Sequence, residues 1–103
     1  MDHKPFDHAF PYKDTHAVVE TFADGLHLVT VDGSTARITL TVSRGDPPKP
    51  NQKGPPTGQK VTAARLVMPM PAFLHLFNQM NQLVVGLEQQ GHIVRDKDNV
   101  TLQ

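Results

Sequence analysis

Residues 28–42, Leu-Val-Thr-Val-Asp-Gly-Ser-Thr-Ala-Arg-Ile-Thr-Leu-Thr-Val, have the pattern of an antiparallel β-hairpin. The pair Asp32-Gly33 stands between two runs of β-branched and aliphatic residues, and glycine accepts the positive φ that tight hairpin turns require. The second run alternates apolar and polar side chains, so one face is buried and the other lies in water. The two faces carry Ile38, Leu40 and Val42 on the apolar side and Arg37, Thr39, Thr41 and Ser43 on the polar side.

Further strands are predicted on both sides of this antiparallel hairpin. Upstream, residues 17–23 are rich in β-branched and aromatic side chains, and Asp24-Gly25 follows as a turn or bulge signal before strand character resumes at 26–31. Downstream, residues 61–68 predict a third or fourth strand. It ends at Pro69, because proline cannot donate a hydrogen bond to a ladder.

One long helix is predicted over residues 71–90. Pro71 has the fixed φ that suits a first helical position, and Gly91 stands where a helix end takes a left-handed residue. Apolar residues recur at three-and-four spacing through the segment, which gives a stripe wide enough to cover one face of a sheet. The stripe comprises Phe73, Leu76, Phe77, Met80, Leu83, Val84 and Leu87. The predicted fold class is α+β: an antiparallel sheet of three to four strands packed against one long C-terminal helix.

The chain is expected to divide into three parts. Residues 1–16 show neither a strand nor a helix period and predict a flexible N-terminal arm. Residues 17–91 form a single α+β domain that carries a Pro-rich loop at 44–60, expected to be extended and mobile. Residues 92–103 predict a loose C-terminal tail, although two short apolar runs leave a marginal terminal hairpin open.

Composition excludes several classes of protein. The chain has 103 residues, with ten Lys plus Arg against ten Asp plus Glu, so no global charge draws it to nucleic acid or to an anionic membrane. It has no cysteine, which excludes disulfides, a thiolate nucleophile and Cys-ligated metals. The N-terminus lacks the apolar core of a signal peptide, and no run reaches the ~20 apolar residues of a membrane helix. We therefore expect a cytoplasmic protein with no membrane partner.

The layout resembles a family of small uncharacterised bacterial domains in which a hairpin, a strand and a long helix follow one another. The matching segments are 21–25, 38–42 and 64–69 leading into 73–77, and the resemblance spans roughly residues 17–91. It implies the fold and self-association, and it brings no activity with it. The Pro-rich insertion at 47–56 is longer than the loop of that family. A more distant similarity of layout is to SecB-like export chaperones, which hold unfolded chains.

No catalytic constellation is present in the sequence. Ser34 and Ser43 are the only serines and no Gly-x-Ser-x-Gly elbow occurs, while Glu20 and Glu88 are the only glutamates. The six histidines invite a metal hypothesis, as do the pairs Asp2-His3 and Asp7-His8, but none has metalloenzyme spacing. The sequence therefore predicts no enzyme, no cofactor and no metal site.

The helix surface beside the apolar stripe is unusually poor in charge. Between Pro71 and Gln90 only Glu88 is formally charged when His75 is neutral, whereas ordinary exposed helices carry Lys and Glu pairs. Domains with fewer than about 70–80 residues commonly gain stability by oligomerisation. The part of this chain predicted to be ordered, residues 17–91 without the loop at 44–60, falls below that size. We therefore predict a homo-oligomer, most simply a two-fold dimer. The residues expected to mediate self-association are Leu74, Asn78, Gln82 and Val85.

The Pro-rich loop is the candidate contact for another protein. It has four basic residues against Asp46 alone, and its run Pro47-Pro48-Lys49-Pro50 favours a polyproline II conformation. It contains no aromatic side chain for base stacking, so it favours protein over RNA or DNA. The predicted contact residues are Lys49, Pro50 and Lys53.

These observations predict a non-catalytic, self-associating protein-binding module, a small adaptor or regulatory protein of bacterial or phage type. Two alternatives stay open. One is a holdase-type chaperone that binds extended polypeptide by strand addition. The other, ranked third, is a nucleic-acid-binding accessory protein that uses the basic Pro-rich loop.

Overall fold

The computed structural model describes residues 10–103. Contacts divide the chain into two compact units, Met1–Pro69 and Met70–Gln103. The elements in chain order are β1 (Gly25–Asp32), β2 (Thr35–Gly45), β3 (Gly58–Pro69), α1 (Met70–Gln89), β4 (Ile93–Asp96) and β5 (Asn99–Leu102). The first unit holds a three-stranded antiparallel sheet in the order β1-β2-β3, and the second holds the helix and a two-stranded sheet, β4-β5. The α+β class is confirmed, while the packing of the helix on the larger sheet stays a prediction.

The hairpin that opens the sheet forms where the sequence predicts it. Asp32 pairs with Thr35, which leaves Gly33 and Ser34 as a two-residue turn. Gly33 has a φ of 61°, and glycine at the first central position is typical of a type II′ turn, whose twist matches that of the strands. The Thr35 hydroxyl donates a hydrogen bond to the Asp32 carbonyl oxygen at 3.0 Å and closes the turn.

Two β-bulges lie at the same level of the sheet, one on each side of β2. The β1–β2 register shifts between Leu26 and Leu28, which makes His27 an extra residue. The β2–β3 register shifts just after Leu40, which makes Ala63 an extra residue. Bulges bend the strand and redirect side chains, and they often lie beside functional sites.

The buried side chains of the sheet lie on its central strand. Ala36 and Ile38 are buried, as the alternation of β2 predicts. Thr41 was expected on the wet face, and that expectation is wrong: its side chain is only 5% exposed. The cause is the close approach of Gly25, since a Cβ built there would lie 2.7 Å from the Thr41 Oγ1. The backbone of a neighbouring strand therefore covers a residue that alternation alone leaves in water.

The sheet begins later than the sequence predicts. The segment 17–23 has strand-like composition but forms no strand, and its apolar side chains at Val18 and Phe22 are exposed. The reason lies at Asp24, whose carboxylate accepts a hydrogen bond from the Ser43 backbone amide at 3.1 Å. The Ser43 amide is the donor that a longer β1 would have needed from β2. Because it donates to the Asp24 side chain instead, the ladder stops there. Of the predicted arm, residues 1–9 lie outside the described part of the chain, and 10–16 form no helix or strand.

The Pro-rich loop is shorter than the predicted range of 44–60, because β2 and β3 extend into both of its ends. The irregular part runs over 46–57. Its base is closed by a hydrogen bond from the Asp46 amide to the Thr57 carbonyl oxygen at 2.9 Å and by one from the Thr57 hydroxyl to the Asp46 carboxylate at 2.7 Å. The loop is therefore anchored at its base rather than extended throughout.

The helix starts one residue before the predicted range and ends one residue before its end. Its C-terminus has a Schellman motif: Gly91, at φ 83°, donates its amide hydrogen to the Glu88 carbonyl oxygen, and His92 donates to that of Leu87. The prediction that Gly91 ends the helix is confirmed, because a left-handed residue is required at this position.

The C-terminal segment is a hairpin rather than the predicted loose tail, so the helix is not the last element. Two contacts within the second unit explain the correction. Ile93 is buried, and Arg95 forms an ion pair with Glu88 of the helix at 3.2 Å. The amide of Gln103 also donates to the His92 carbonyl oxygen, which ties the end of the chain to the start of the hairpin.

Candidate functional site

The apolar stripe of the helix lies open in the described chain. No residue of α1 is buried, and three of the largest stripe side chains, Phe77, Met80 and Leu83, are 54%, 49% and 69% exposed. Three others, Phe73, Leu76 and Val84, are half-buried. A stripe of this length is the surface that an amphipathic helix normally buries against protein.

The four residues predicted for self-association lie together on the helix. At 100° per residue, Leu74, Asn78, Gln82 and Val85 fall within an arc of about 80° beside the stripe. All four are exposed. The structure therefore brings this predicted set onto one surface, and that surface widens the apolar stripe with two aliphatic and two amide side chains. Whether it mediates self-association stays a prediction.

One face of the three-stranded sheet is an apolar grid. Residues directly opposite one another in a ladder share a face, so the register assigns the members of each row. The rows are Val31, Ala36 and Met68; Val29, Ile38 and Leu66; and Leu26, Leu40 and Ala64. The central column is buried or half-buried, but Leu26 and Val31 on the outer strand remain 59% and 58% exposed.

The outer edges of this sheet are also unpaired in the part of the chain that the structure describes. β1 pairs only with β2, and so does β3. Unpaired edges are templates for another strand, and natural proteins usually cover or blunt them. In β1 the bulge at His27 makes the edge a poorer template, since it breaks the regular spacing of backbone donors and acceptors.

The loop residues predicted to contact a partner surround a tight turn. The Gln52 amide donates to the Lys49 carbonyl oxygen at 3.1 Å, and Asn51 has a φ of 62°. Proline followed by a left-handed residue is typical of a type II turn, which replaces the extended run predicted for this segment. The turn presents Lys49, Pro50 and Lys53 at its tip or beside it, and neither lysine has an ion pair within residues 10–103.

A cleft beside the two bulges of the sheet was not predicted. It measures about 400 Å³ and is lined by Leu26, His27, Thr41, Lys60 and Thr62. The Thr41 hydroxyl is buried and has no hydrogen-bond partner. The bulge signal at Asp24-Gly25 was the only hint in the sequence, since the side chains come from three strands that only the register brings together.

Within residues 10–103 no group of three metal-binding side chains occurs, and the pairs Asp2-His3 and Asp7-His8 lie outside this range. No helix in the same range is long and apolar enough to cross a membrane. Comparisons with family models, with curated proteins and with solved structures give no match. The family resemblance drawn from the sequence stays a prediction.

Proposed function

We propose that this chain is a non-catalytic, self-associating protein-binding module, a small cytoplasmic adaptor of bacterial or phage type. One observation carries the proposal. Across the described residues only three apolar side chains are buried, Ala36, Ile38 and Ile93, while the larger apolar side chains of the helix stripe and of the outer strand are exposed. Monomeric proteins rarely leave a contiguous apolar patch larger than roughly a few hundred Å² open, and such patches mark protein interfaces. The helix stripe and the outer strand are each candidates for such a patch.

A second copy of the chain is the occupant that best fits the helix surface. The net charge of the chain is zero, so two copies approach without global repulsion. Along α1 the one formally charged residue, Glu88, is engaged by Arg95. A two-fold axis places the same patch on both sides of an interface, and an uncharged apolar stripe is complementary to itself. Burying a large apolar side chain yields about 1.5–3 kcal/mol. Association itself costs roughly 4–15 kcal/mol, so a dimer needs several such residues from each copy.

The size of the assembly tests this proposal. Light scattering on a size-exclusion peak, at two protein concentrations, is expected to give an integer multiple of 11.4 kDa, at least twice the monomer mass, for the wild-type chain. Introducing Leu74→Glu together with Val85→Glu places two like charges on the proposed interface and should return the chain to the monomer mass, because desolvating an unpaired carboxylate is costly. The proposal is contradicted by a wild-type monomer, or by an assembly of unchanged mass in the double variant.

The matched control makes the same chemical change away from the helix. Val18→Glu together with Val19→Glu adds the same two charges in an exposed segment without helix or strand, so the assembly should keep its wild-type mass. Circular dichroism of each variant should retain the wild-type helix signal. If the control also dissociates the assembly, added charge alone is responsible, and the helix surface is not the interface.

In this proposal the turn at Lys49–Gln52 contacts the partner protein. Lys49 in the turn and Lys53 beside it have no ion pair within residues 10–103, and the loop that carries them is anchored at its base, away from the sheet ladder. The holdase alternative has its own support in the unpaired edges of β1 and β3, which could accept an extended segment by strand addition. A holdase suppresses aggregation of an unrelated unfolded protein at stoichiometric ratios, whereas an adaptor leaves that aggregation unchanged.

A further inference from the structure

We propose that the helix stripe of one copy packs against the apolar grid of a second copy, and that the helix of the second copy packs against the first sheet in return. This inference rests on the proposed self-association and adds the sheet to its interface. The helix surface that carries Leu74 and Val85 lies beside the stripe, so one helix can use both surfaces in the same assembly.

The junction between strand and helix is the observation that favours a second copy. β3 ends at Pro69 and α1 begins at Met70, so no residue lies between the two elements. A helix that returns to cover the sheet it follows normally needs a connection of about 2–6 residues. Short hinges favour the exchange of an element between copies, and such exchange is a low-cost route to a dimer. The junction therefore favours a helix that is donated to another chain.

The charge of the two sheet faces determines which face suits the helix. The apolar grid contains no charged residue in any of its rows. Arg37 and Arg65 lie on the opposite face, because each directly precedes a grid residue, Ile38 or Leu66, and side chains alternate along a strand. The helix stripe has no acidic side chain to pair with a guanidinium group, and burying an unpaired charge is costly. The stripe is therefore compatible with the grid and incompatible with the opposite face.

The stripe and the sheet also match in length and in side-chain size. The apolar side chains of β2 recur from Ala36 to Val42, which spans about 20 Å of strand. The stripe runs from Phe73 to Leu87, which spans about 21 Å of helix. Facing layers pack well when large side chains meet small ones, and the central strand has Ala36 where the stripe offers residues such as Phe77.

Reciprocal exchange accounts for the exposed apolar side chains of both elements. Leu26 and Val31 on β1, and Phe77 and Leu83 on α1, are all more than half exposed in the described chain. A two-fold axis repeats the contact, so that each sheet is covered by one helix and these side chains leave water in a single assembly. A contact between helices alone would leave the grid in water.

Lengthening the junction tests the exchange without changing either surface. Inserting Gly-Ser-Gly-Ser between Pro69 and Met70 of the full chain provides a connection long enough for a helix to cover its own sheet. Light scattering is expected to show a twofold fall in mass, from the wild-type dimer to the monomer, because a contact within one chain replaces the exchanged contact. The matched control is the same insertion between Lys53 and Gly54 in the Pro-rich loop, which should keep the wild-type mass.

The two proposals fail in different ways in this experiment. A wild-type assembly whose mass is unchanged by the junction insertion would overturn the exchange, and it would leave the self-association standing. A wild-type monomer would contradict the self-association itself. A loss of mass in both insertion variants would mean that added flexibility alone dissociates the assembly, and it would also overturn the exchange.

Cross-linking identifies the surfaces that meet, since the chain has no cysteine of its own. Leu66→Cys places a thiol on the grid, and Met80→Cys places one on the stripe. When these two single variants are co-expressed, one of them with a size tag, a short bismaleimide is expected to join the tagged chain to the untagged one. The matched control is Arg65→Cys, on the opposite face of β3, which should give no such product with Met80→Cys.

Two cross-linking results would overturn the exchange. One is a product that joins only two Met80→Cys chains, because the helix stripes would then pack on each other. The other is a chain with both Leu66→Cys and Met80→Cys that is linked only within itself, because each helix would then cover its own sheet.

Discussion

The three-stranded sheet and the helix carry equally clear apolar patterns, but they differ in what covers those patterns. β2 lies between two strands, and its Ala36 and Ile38 are buried. The helix buries no residue. Alternation and three-and-four spacing fix which face of an element is apolar, but they do not identify the surface that covers it. The sheet therefore buries part of its own apolar pattern, whereas the helix is where a partner surface would add most stability.

Truncating a buried side chain of the central strand should change stability most. Ile38→Ala should lower the free energy of unfolding by about 2–4 kcal/mol, because it leaves a cavity between β1 and β3. Leu83→Ala, at a 69% exposed helix position, should cost less than about 0.5 kcal/mol in a monomer. Urea denaturation at two protein concentrations distinguishes a helix that stays uncovered in a monomer from one that a second copy covers. If a second copy covers the helix, the cost of Leu83→Ala should grow as the concentration rises.

Two results would contradict this difference between the sheet and the helix. An Ile38→Ala chain as stable as the wild type would mean that the central strand does not provide the core. A Leu83→Ala chain whose loss is large at every concentration would mean that the helix stripe is covered within the single chain.

The sequence predicts those features of the fold that depend on local chemistry. Gly33 and Gly91 mark a turn and a helix end because both positions require a positive φ, and the structure has them there. The loose tail was predicted wrongly because the ion pair between Arg95 and Glu88 joins residues whose partnership depends on how the chain turns at Gly91. Local periodicity carries no information about such a contact.

The candidate sites also differ in whether local chemistry is enough to predict them. The helix surface could be predicted, because residues such as Leu74 and Val85 lie on a single element with a known period. The cleft could not be predicted, because the alternation of β2 places Thr41 on the face that is expected to be in solvent. Its burial comes from two register shifts and from the approach of Gly25 on another strand. A site formed by side chains from three strands cannot be predicted from the sequence until the register of the strands is known.

A smaller effect comes from a pair of glycines that face each other across the sheet. A Cβ on Gly58 would lie 2.5 Å from the Arg44 carbonyl oxygen, which belongs to the backbone and cannot rotate away. Gly58→Ala should therefore cost about 1–3 kcal/mol, as overpacking does. Gly45, its ladder partner, has open space around it, so Gly45→Ala should cost less than about 0.5 kcal/mol. Thermal or urea unfolding of both variants measures the contrast, and equal stabilities would mean that the strands do not approach this closely.

The smallest effect tests the helix side of the comparison without touching its apolar stripe. Gly86 lies inside α1, and a Cβ there meets nothing within 4 Å. By helical position it falls on the side away from Phe77 and Val84. Gly86→Ala should therefore stabilise the chain by about 0.5–1 kcal/mol, because alanine loses less conformational entropy in a helix. The mass of the assembly should stay the same. A loss of stability, or a change in that mass, would mean that a surface packs against this side of the helix too, beyond the stripe and the surface of Leu74, Asn78, Gln82 and Val85 beside it.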